Sequence, residues 1–209
     1  MTSRILGVVV LRLQYYKFIY FQILGNRRPN MAAKPPFTIR HATSPTDISS
    51  IRTLFTSYVS WLDIDLTFQN FTQELASLPG LYAAPTGCLL LAVLESGEAV
   101  GCVALRPLPS KSAPISASEE VRDAVKERRI CEVKRLFLTP ESRGLGIGRA
   151  LVKAVIAEAQ KLGYEEMKLD TLPRMVGARR LYESMGFVET ERYYETPLEG
   201  TVFYRKELG

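Results

Sequence analysis

Three glycines in alternation, Gly144, Gly146 and Gly148, lie between two arginines in the stretch Arg143-Gly144-Leu145-Gly146-Ile147-Gly148-Arg149-Ala150. Glycine lets the main chain approach a ligand with no side chain in the way. Upstream runs Val133-Lys134-Arg135-Leu136-Phe137-Leu138, apolar and β-prone. Downstream, apolar residues at 151, 152, 155, 156, 159 and 162 have helical spacing, closed by Gly163. The glycines therefore fall where a strand turns into the first turn of a helix. Such a turn leaves backbone N–H groups without partners and concentrates the positive end of the helix dipole. The chemistry it predicts is a cradle for a phosphate or pyrophosphate. Two familiar glycine loops do not fit. A Rossmann loop reads G-x-G-x-x-G, and a Walker loop ends in Gly-Lys-Ser/Thr; this one reads R-G-x-G-x-G-R and lies past mid-chain.

The elements that must hold this cradle can be read in order. Residues 37–40 form a first strand. Ser44 then caps a helix with Pro45 at its first position and Asp47 favouring the dipole; Ile48, Ile51, Leu54, Phe55, Tyr58 and Val59 make its buried stripe. Residues 61–66 are a loop. Phe68, Phe71, Leu75 and Leu78 mark a second, short helix that ends at Pro79-Gly80. Strands at 88–94 and 99–105 join through a hairpin turn at Glu95-Ser96-Gly97-Glu98. Residues 107–129, rich in Ser, Ala, Pro and charge, read as an exposed, mobile insertion with a short helix at 119–128. A fourth strand at 130–138 leads into the cradle and its helix. A fifth strand at 166–171, a helix at 175–185 stopped by Gly186, and strands at 187–194 and 201–206 complete the chain. The predicted order is β-α-α-β-β-β-α-β-α-β-β, a mixed α/β domain over residues 37–207, with no internal repeat.

The cradle resembles the acyl-CoA signature of the GNAT superfamily of N-acyltransferases, Arg/Gln-x-x-Gly-x-Gly/Ala. Leu136-Phe137-Leu138 with Thr139-Pro140-Glu141 resembles that family's lead-in, and Ala178-Arg179-Arg180-Leu181-Tyr182-Glu183-Ser184-Met185-Gly186-Phe187 resembles its A-x-x-L-Y-x-x-x-G-F segment. The resemblance implies a curved, splayed mixed sheet with helices on both faces, and acetyl-CoA as co-substrate with no metal. It implies that the fourth and fifth strands part and hold the pantetheine arm on the backbone of Leu136, Phe137 and Leu138. The pyrophosphate would sit on the N–H groups of Gly144, Leu145, Gly146, Ile147, Gly148 and Arg149, with Arg143 and Arg149 adding charge. The reaction is attack of a neutral amine on a thioester carbonyl, with a proton supplied to the leaving thiolate. Tyr182 matches the family tyrosine that gives that proton. Glu132 is the candidate base, and strand alternation puts it on one face with Lys134, Leu136 and Leu138. Asp170 is a second candidate. Where many relatives have a cofactor-contacting asparagine, this chain has Met175, which removes that contact or transfers it to Arg174.

Composition bounds the rest. The 209 residues fit one domain. Of 27 Lys and Arg, five (Arg4, Arg12, Lys17, Arg27, Arg28) fall in residues 1–30, which hold no acid, so residues 31–209 are neutral against the 22 Asp and Glu. Without a basic footprint on the folded part, a nucleic-acid domain is excluded. Cys88, Cys102 and Cys131 lie in apolar runs at no metal-ligand spacing, which fits buried, reduced thiols in the cytoplasm. His41 is the one histidine on which Ser–His or Cys–His catalysis would have to rest. Residues 1–30 read as an extension outside the core. A spanning segment at 5–24 is interrupted by Arg12, Gln14, Lys17 and Gln22. A mitochondrial presequence would gather its polar residues on one face, and here they do not gather. We favour translation from Met31; membrane tethering or a mitochondrial location would require the extension.

The acceptor is an amine on a small molecule, an amino acid or a lysine side chain of a peptide. Tyr58, Trp61, Asp63, Asp65 and Phe68 would form its wall, with Phe68 and Phe71 also readable as core. Arg106, Arg135 and Arg174 are candidates to bind an acceptor carboxylate. The chain would act as a monomer or homodimer. The alternative is a catalytically inactive member of the same fold that binds acyl-CoA as a sensor or scaffold.

Overall fold

Helix α1 (Pro45–Leu62) begins at a closed capping box. The Asp47 N–H donates to Ser44 Oγ and the Ser44 N–H donates to the Asp47 carboxylate, each at 3.1 Å, with Pro45 in the first turn. Arg40, on β1 (Phe37–His41), donates to the same carboxylate at 2.6 Å, so one buried acid ties strand to helix. The Arg40 hydrogen bond, outweighing burial, holds the Asp47 carboxyl well below the usual carboxylate range. The computed structural model describes residues 36–64, 67–108 and 128–209. The N-terminal extension, Asp65, and the insertion from 109 to 127 with most of its predicted helix lie outside the described residues. Among the described residues, no helix is long and apolar enough to cross a membrane.

The sheet has seven strands in the order β1-β2-β3-β4-β5-β7-β6, with β2 (Cys88–Leu94), β3 (Ala99–Leu108), β4 (Ile130–Leu138), β5 (Glu166–Thr171), β6 (Val188–Thr190) and β7 (Val202–Glu207). Every pairing is antiparallel except β4 with β5. Both faces are covered, as the unbroken apolar run of β2 requires. Cys88, Leu90 and Ala92 share a core with Leu151 and Val155 of α3 (Ile147–Lys161) and Tyr182 of α4 (Val176–Ser184). Leu89, Leu91 and Val93 share the other core with Ile51, Leu54 and Phe55 of α1. The predicted element order and mixed α/β class are those found.

Strand β4 breaks the alternation expected of it. Cys102 pairs with Phe137 and Ala104 with Lys134, so Val103 faces two residues, Arg135 and Leu136. This is a β-bulge, and Arg135 takes φ +57°, left-handed backbone that costs a non-glycine residue about 1–3 kcal/mol. The extra residue reverses the faces beyond it. Leu136 and Leu138 pack with Cys131 and Val133 on the α3 side, and Phe137 packs against α1. Glu132 and Lys134 therefore do not share a face with Leu136 and Leu138.

The bulge is anchored by charge. Arg135 makes a two-pronged pair with Glu74 of α2 (Phe71–Ser77), Nε–Oε1 3.0 Å and Nη2–Oε2 2.6 Å, and its guanidinium lies 5.2 Å from the Phe71 ring centre. Glu74 also accepts from the Tyr82 hydroxyl at 2.7 Å. Burial alone would raise the Glu74 carboxyl, but the guanidinium outweighs it and holds it below its ordinary value. The Cys102 thiol donates to the Arg135 carbonyl at 3.4 Å.

Three further boundaries differ from the sequence expectation. Asn70, at φ +55°, separates a 3₁₀ turn (Thr67–Gln69) from α2, which leaves Phe68 exposed and outside the core. Strand β3 runs on to Leu108, into the stretch read as insertion; Pro107 is tolerated because β2 has already ended with Cys88 opposite Leu105. Strand β6 stops at Thr190, because Tyr193 and Tyr194 turn inward to pack on Phe203 with ring centres 5.1 and 5.3 Å away.

Two stability measurements test these anchors. Asp47→Ala should cost about 1 kcal/mol in urea denaturation at pH 7. Because the folded pKa of Asp47 is depressed, that contribution is present above the unfolded value near 3.9 and should shrink as pH falls below it. Glu74→Ala should cost about 3 kcal/mol, since it leaves a guanidinium only 4% exposed without its partner. A loss under about 1 kcal/mol, the range of an exposed pair, would show the bulge held by other means.

Candidate functional site

The parallel pairing of β4 and β5 lasts three residues: Ile130 with Glu166, Cys131 with Met167, Glu132 with Lys168. Beyond them β4 continues to Leu138 unpaired on that side, while β5 stays paired with β7 along its whole length. The strands part into a cavity of about 540 Å³. Leu136, Phe137 and Leu138 line it, with Arg143 and Gly144 at one end. Backbone N–H and C=O groups on an unpaired strand edge can hydrogen-bond an extended guest.

Next comes the cradle. Thr139 N–H donates to the Val100 carbonyl at 2.9 Å, which ends β4 and starts the turn. Gly144 and Gly146 stand at φ +80° and +89°, conformations that favour glycine. Gly146 caps α3 without any side-chain hydrogen bond, and no acid lies in the helix's first turn, so the N–H groups at that end are left for an anion. Gly148 is different: it is buried inside the helix, where a Cβ would stand 3.1 Å from Leu138 Cδ1. Packing against Leu138 is thus a second reason for glycine at this position. Ile147 is core, and Leu145 packs against the same core. Arg143 lies over the Trp61 ring at 4.5 Å and reaches the Leu138 carbonyl at 3.5 Å. Arg149 turns to α4, with Nη2 donating to Ser184 Oγ at 2.8 Å.

Tyr182, from α4, lines the cavity and is 6% exposed, its ring between Phe187 and Tyr204. Burial, with Tyr58 and Asp170 close by, pushes its phenol above its ordinary value, so it carries its proton at neutral pH. No described residue hydrogen-bonds its hydroxyl. Met175 caps the start of α4, and its sulfur accepts from Thr171 Oγ1 at 3.4 Å.

Glu132 is not a lining residue. It is 1% exposed, and both oxygens are engaged: Arg106 Nη2 at 2.6 Å, the Tyr193 hydroxyl at 3.0 Å and Lys134 Nζ at 3.4 Å. Asp170 does line the cavity, and Lys134 Nζ donates to it at 2.8 Å. The Tyr194 hydroxyl is buried beside Asp170 but outside hydrogen-bonding geometry, and burial raises its pKa. Tyr193 and Tyr194, read as strand, are thus unforeseen neighbours of these charges, though neither lines the cavity; a pair of adjacent aromatics just past a short edge strand was the available signal.

On the acceptor side, Tyr58 and Trp61 line the cavity, joined by Leu62 and Gln69. Burial pushes the Tyr58 phenol up to about 12. Asp63 closes α1 at φ +52° and, with Phe68, lies outside the lining. Of the three arginines, Arg106 pairs with Glu132 and does not line the cavity, and Arg135 lines it but is paired with Glu74. Arg174 lines the cavity and donates to the Leu62 carbonyl. His41 lies elsewhere, half exposed and 3.3 Å from Glu158 on α3. The three cysteines are free and buried, and burial pushes all of them up, Cys88 to about 12, which leaves them inert thiols. Among the described residues, no group of three or more His, Cys, Asp or Glu is placed to hold a metal.

Comparison with known proteins bears on the family and the fold. The chain is 40% identical over 165 residues to an uncharacterized N-acetyltransferase of Schizosaccharomyces pombe, covering 79% of this chain and 91% of that one. It is 30% identical over 171 residues to an aminoglycoside N(6')-acetyltransferase of Stenotrophomonas maltophilia, covering 81% and 98%. In fold it is similar to an acetyltransferase of Salmonella typhimurium solved with its cofactor acetyl-CoA, with a TM-score of 0.53 at 20% identity over 83% of this chain and 95% of that one. The Acetyltransferase (GNAT) family matches residues 50–187, and with an S. pombe relative at 40% identity over most of both chains, this protein belongs to that family.

Proposed function

We propose that this chain transfers the acetyl group of acetyl-CoA to a primary amine held in the cavity between β4 and β5. The observation that carries the reading is the abrupt end of parallel pairing at Glu132 and Lys168, which leaves an unpaired strand edge leading to an uncapped helix N-terminus. Strand-like hydrogen bonds from residues 136–138 would hold the pantetheine arm. The N–H groups at the start of α3, with Arg143, would hold the pyrophosphate. The side chain of Arg149, bonded to Ser184, contributes less there than the resemblance implied.

Two proton movements are required. Tyr182 holds its proton at neutral pH and would give it to the departing thiolate. The acceptor amine must lose one. Asp170 faces the cavity and is the better placed receiver. Glu132, enclosed behind Lys134, would act as a positioning residue for it rather than meet the amine. Backbone N–H groups near the bulge would polarise the thioester carbonyl, a task for fixed dipoles.

The test is calorimetric titration with acetyl-CoA, followed by a thiol-release assay over a panel of amines. Saturable binding with turnover is the expected result. Binding without turnover would return the chain to a sensor role. Tyr182→Phe should lower kcat about a hundredfold and leave acetyl-CoA affinity unchanged. A matching loss of affinity would assign the tyrosine to packing instead.

A further inference from the structure

The charged groups lining the cavity are unequal in sign. Lys134, Arg135, Arg143 and Arg174 are basic, and Asp170 is the one acid. That acid is already paired. Lys134 Nζ stands 2.8 Å from Asp170 Oδ1, 3.4 Å from Glu132 Oε1 and 5.5 Å from the Tyr194 ring centre, with its side chain 8% exposed. An ammonium held by two carboxylates over an aromatic face is how a protein binds an alkylammonium ligand. Here the chain supplies that ammonium itself. Glu132 is further taken by Arg106, and Glu74 behind the wall by Arg135. Among the described residues, no carboxylate at this end is left for a second cation.

We infer that Lys134 sets the acceptor class: the site takes an amine whose remainder carries no second positive charge, and rejects diamines and polycations. The inference rests on the acetyl-transfer reading of this cavity. Two physical effects act together. A second ammonium would meet Lys134 with no free carboxylate to offset the repulsion. The Lys134 ammonium also disfavours the charged form of an incoming amine, which favours the neutral form that must attack the thioester. The step itself is ordinary transfer: the C–N bond forms, the C–S bond breaks, the amine's proton passes to Asp170 and the thiolate takes the proton of Tyr182.

The experiment compares pentylamine with 1,5-diaminopentane in the thiol-release assay, for the wild type, Lys134→Met, Lys134→Gln and Lys134→Arg. Melting temperature and acetyl-CoA titration accompany each as controls of folding and of the donor site. The wild type should favour the monoamine at least tenfold in kcat/KM. Lys134→Met and Lys134→Gln, which remove the repelling ammonium and release one contact of Glu132, should each raise turnover of the diamine at least tenfold, while Lys134→Arg keeps the wild-type ratio. Two neutral replacements keep the test open if one of them fails to fold. The proposal is overturned if the wild type prefers the diamine, if folded neutral variants change both amines alike or gain no diamine turnover, or if Lys134→Arg shifts the ratio as the neutral variants do. A folded wild type that neither binds acetyl-CoA nor releases thiol with any amine overturns the acetyl-transfer reading itself, a result distinct from an unchanged amine ratio.

Discussion

The ion pair between Arg135 and Glu74 is the contact on which the site's geometry turns. A strand that kept strict alternation through residues 130–138 would send Leu136 and Leu138 toward α1 and Phe137 toward α3. The bulge at Arg135 instead gathers Glu132, Lys134, Arg135 and Phe137 on the α1 side and returns Leu136 and Leu138 to the core beneath α3. Glycine would adopt φ +57° with little strain, but it would carry no guanidinium. Arginine accepts the strain and uses its side chain to hold α2, a seven-residue helix with no buried residue of its own. A helix that short is not stable from local hydrogen bonds, so its place depends on tertiary contacts such as this one. The same pair therefore shapes the strand edge and fixes the helix beside the cavity.

From that bulge the charges run in alternation toward the cavity: Arg106, Glu132, Lys134, Asp170. Each is buried or half-buried, and each is compensated by the next. Such a chain is costly to desolvate and tolerable only when every member is paired. Its consequence is that a charge change at one position is felt by the others, so Glu132 can influence the cavity although it does not line it. At the opposite end, the guanidiniums of Arg143 and Arg174 rest on an indole face and on backbone carbonyls rather than on carboxylates. The positive potential they leave points where a phosphorylated substrate would enter.

The donor half of the proposed site was legible in the sequence because it is made of backbone and of residues close in the chain. A strand, three alternating glycines and a helix signal themselves by period and by residue type, and the capping signals at Ser44, Gly163 and Gly186 act within a few residues. Even there the spacing does not tell everything: Gly148 also lies close to Leu138, a packing constraint that no local pattern carries. The bulge escaped for a related reason. Left-handed backbone is normally announced by Gly or Asn, and Arg135 is stabilised there by a residue 61 positions away.

The acceptor half was illegible for a physical reason rather than for want of residues to consider. Arg106, Arg135, Glu132 and Asp170 have the right chemistry to meet a substrate, and sequence alone cannot tell a charge that faces a ligand from one that faces another charge. The difference lies in pairing, and pairing is set by strand register and by loops distant in sequence. Glu132 meets Arg106 because β3 and β4 place them directly opposite, and it meets Tyr193 because β6 ends early. Lys134 is the clearest instance: in sequence it is one more basic residue on a strand, and in the fold its ammonium is enclosed by two carboxylates and an aromatic ring.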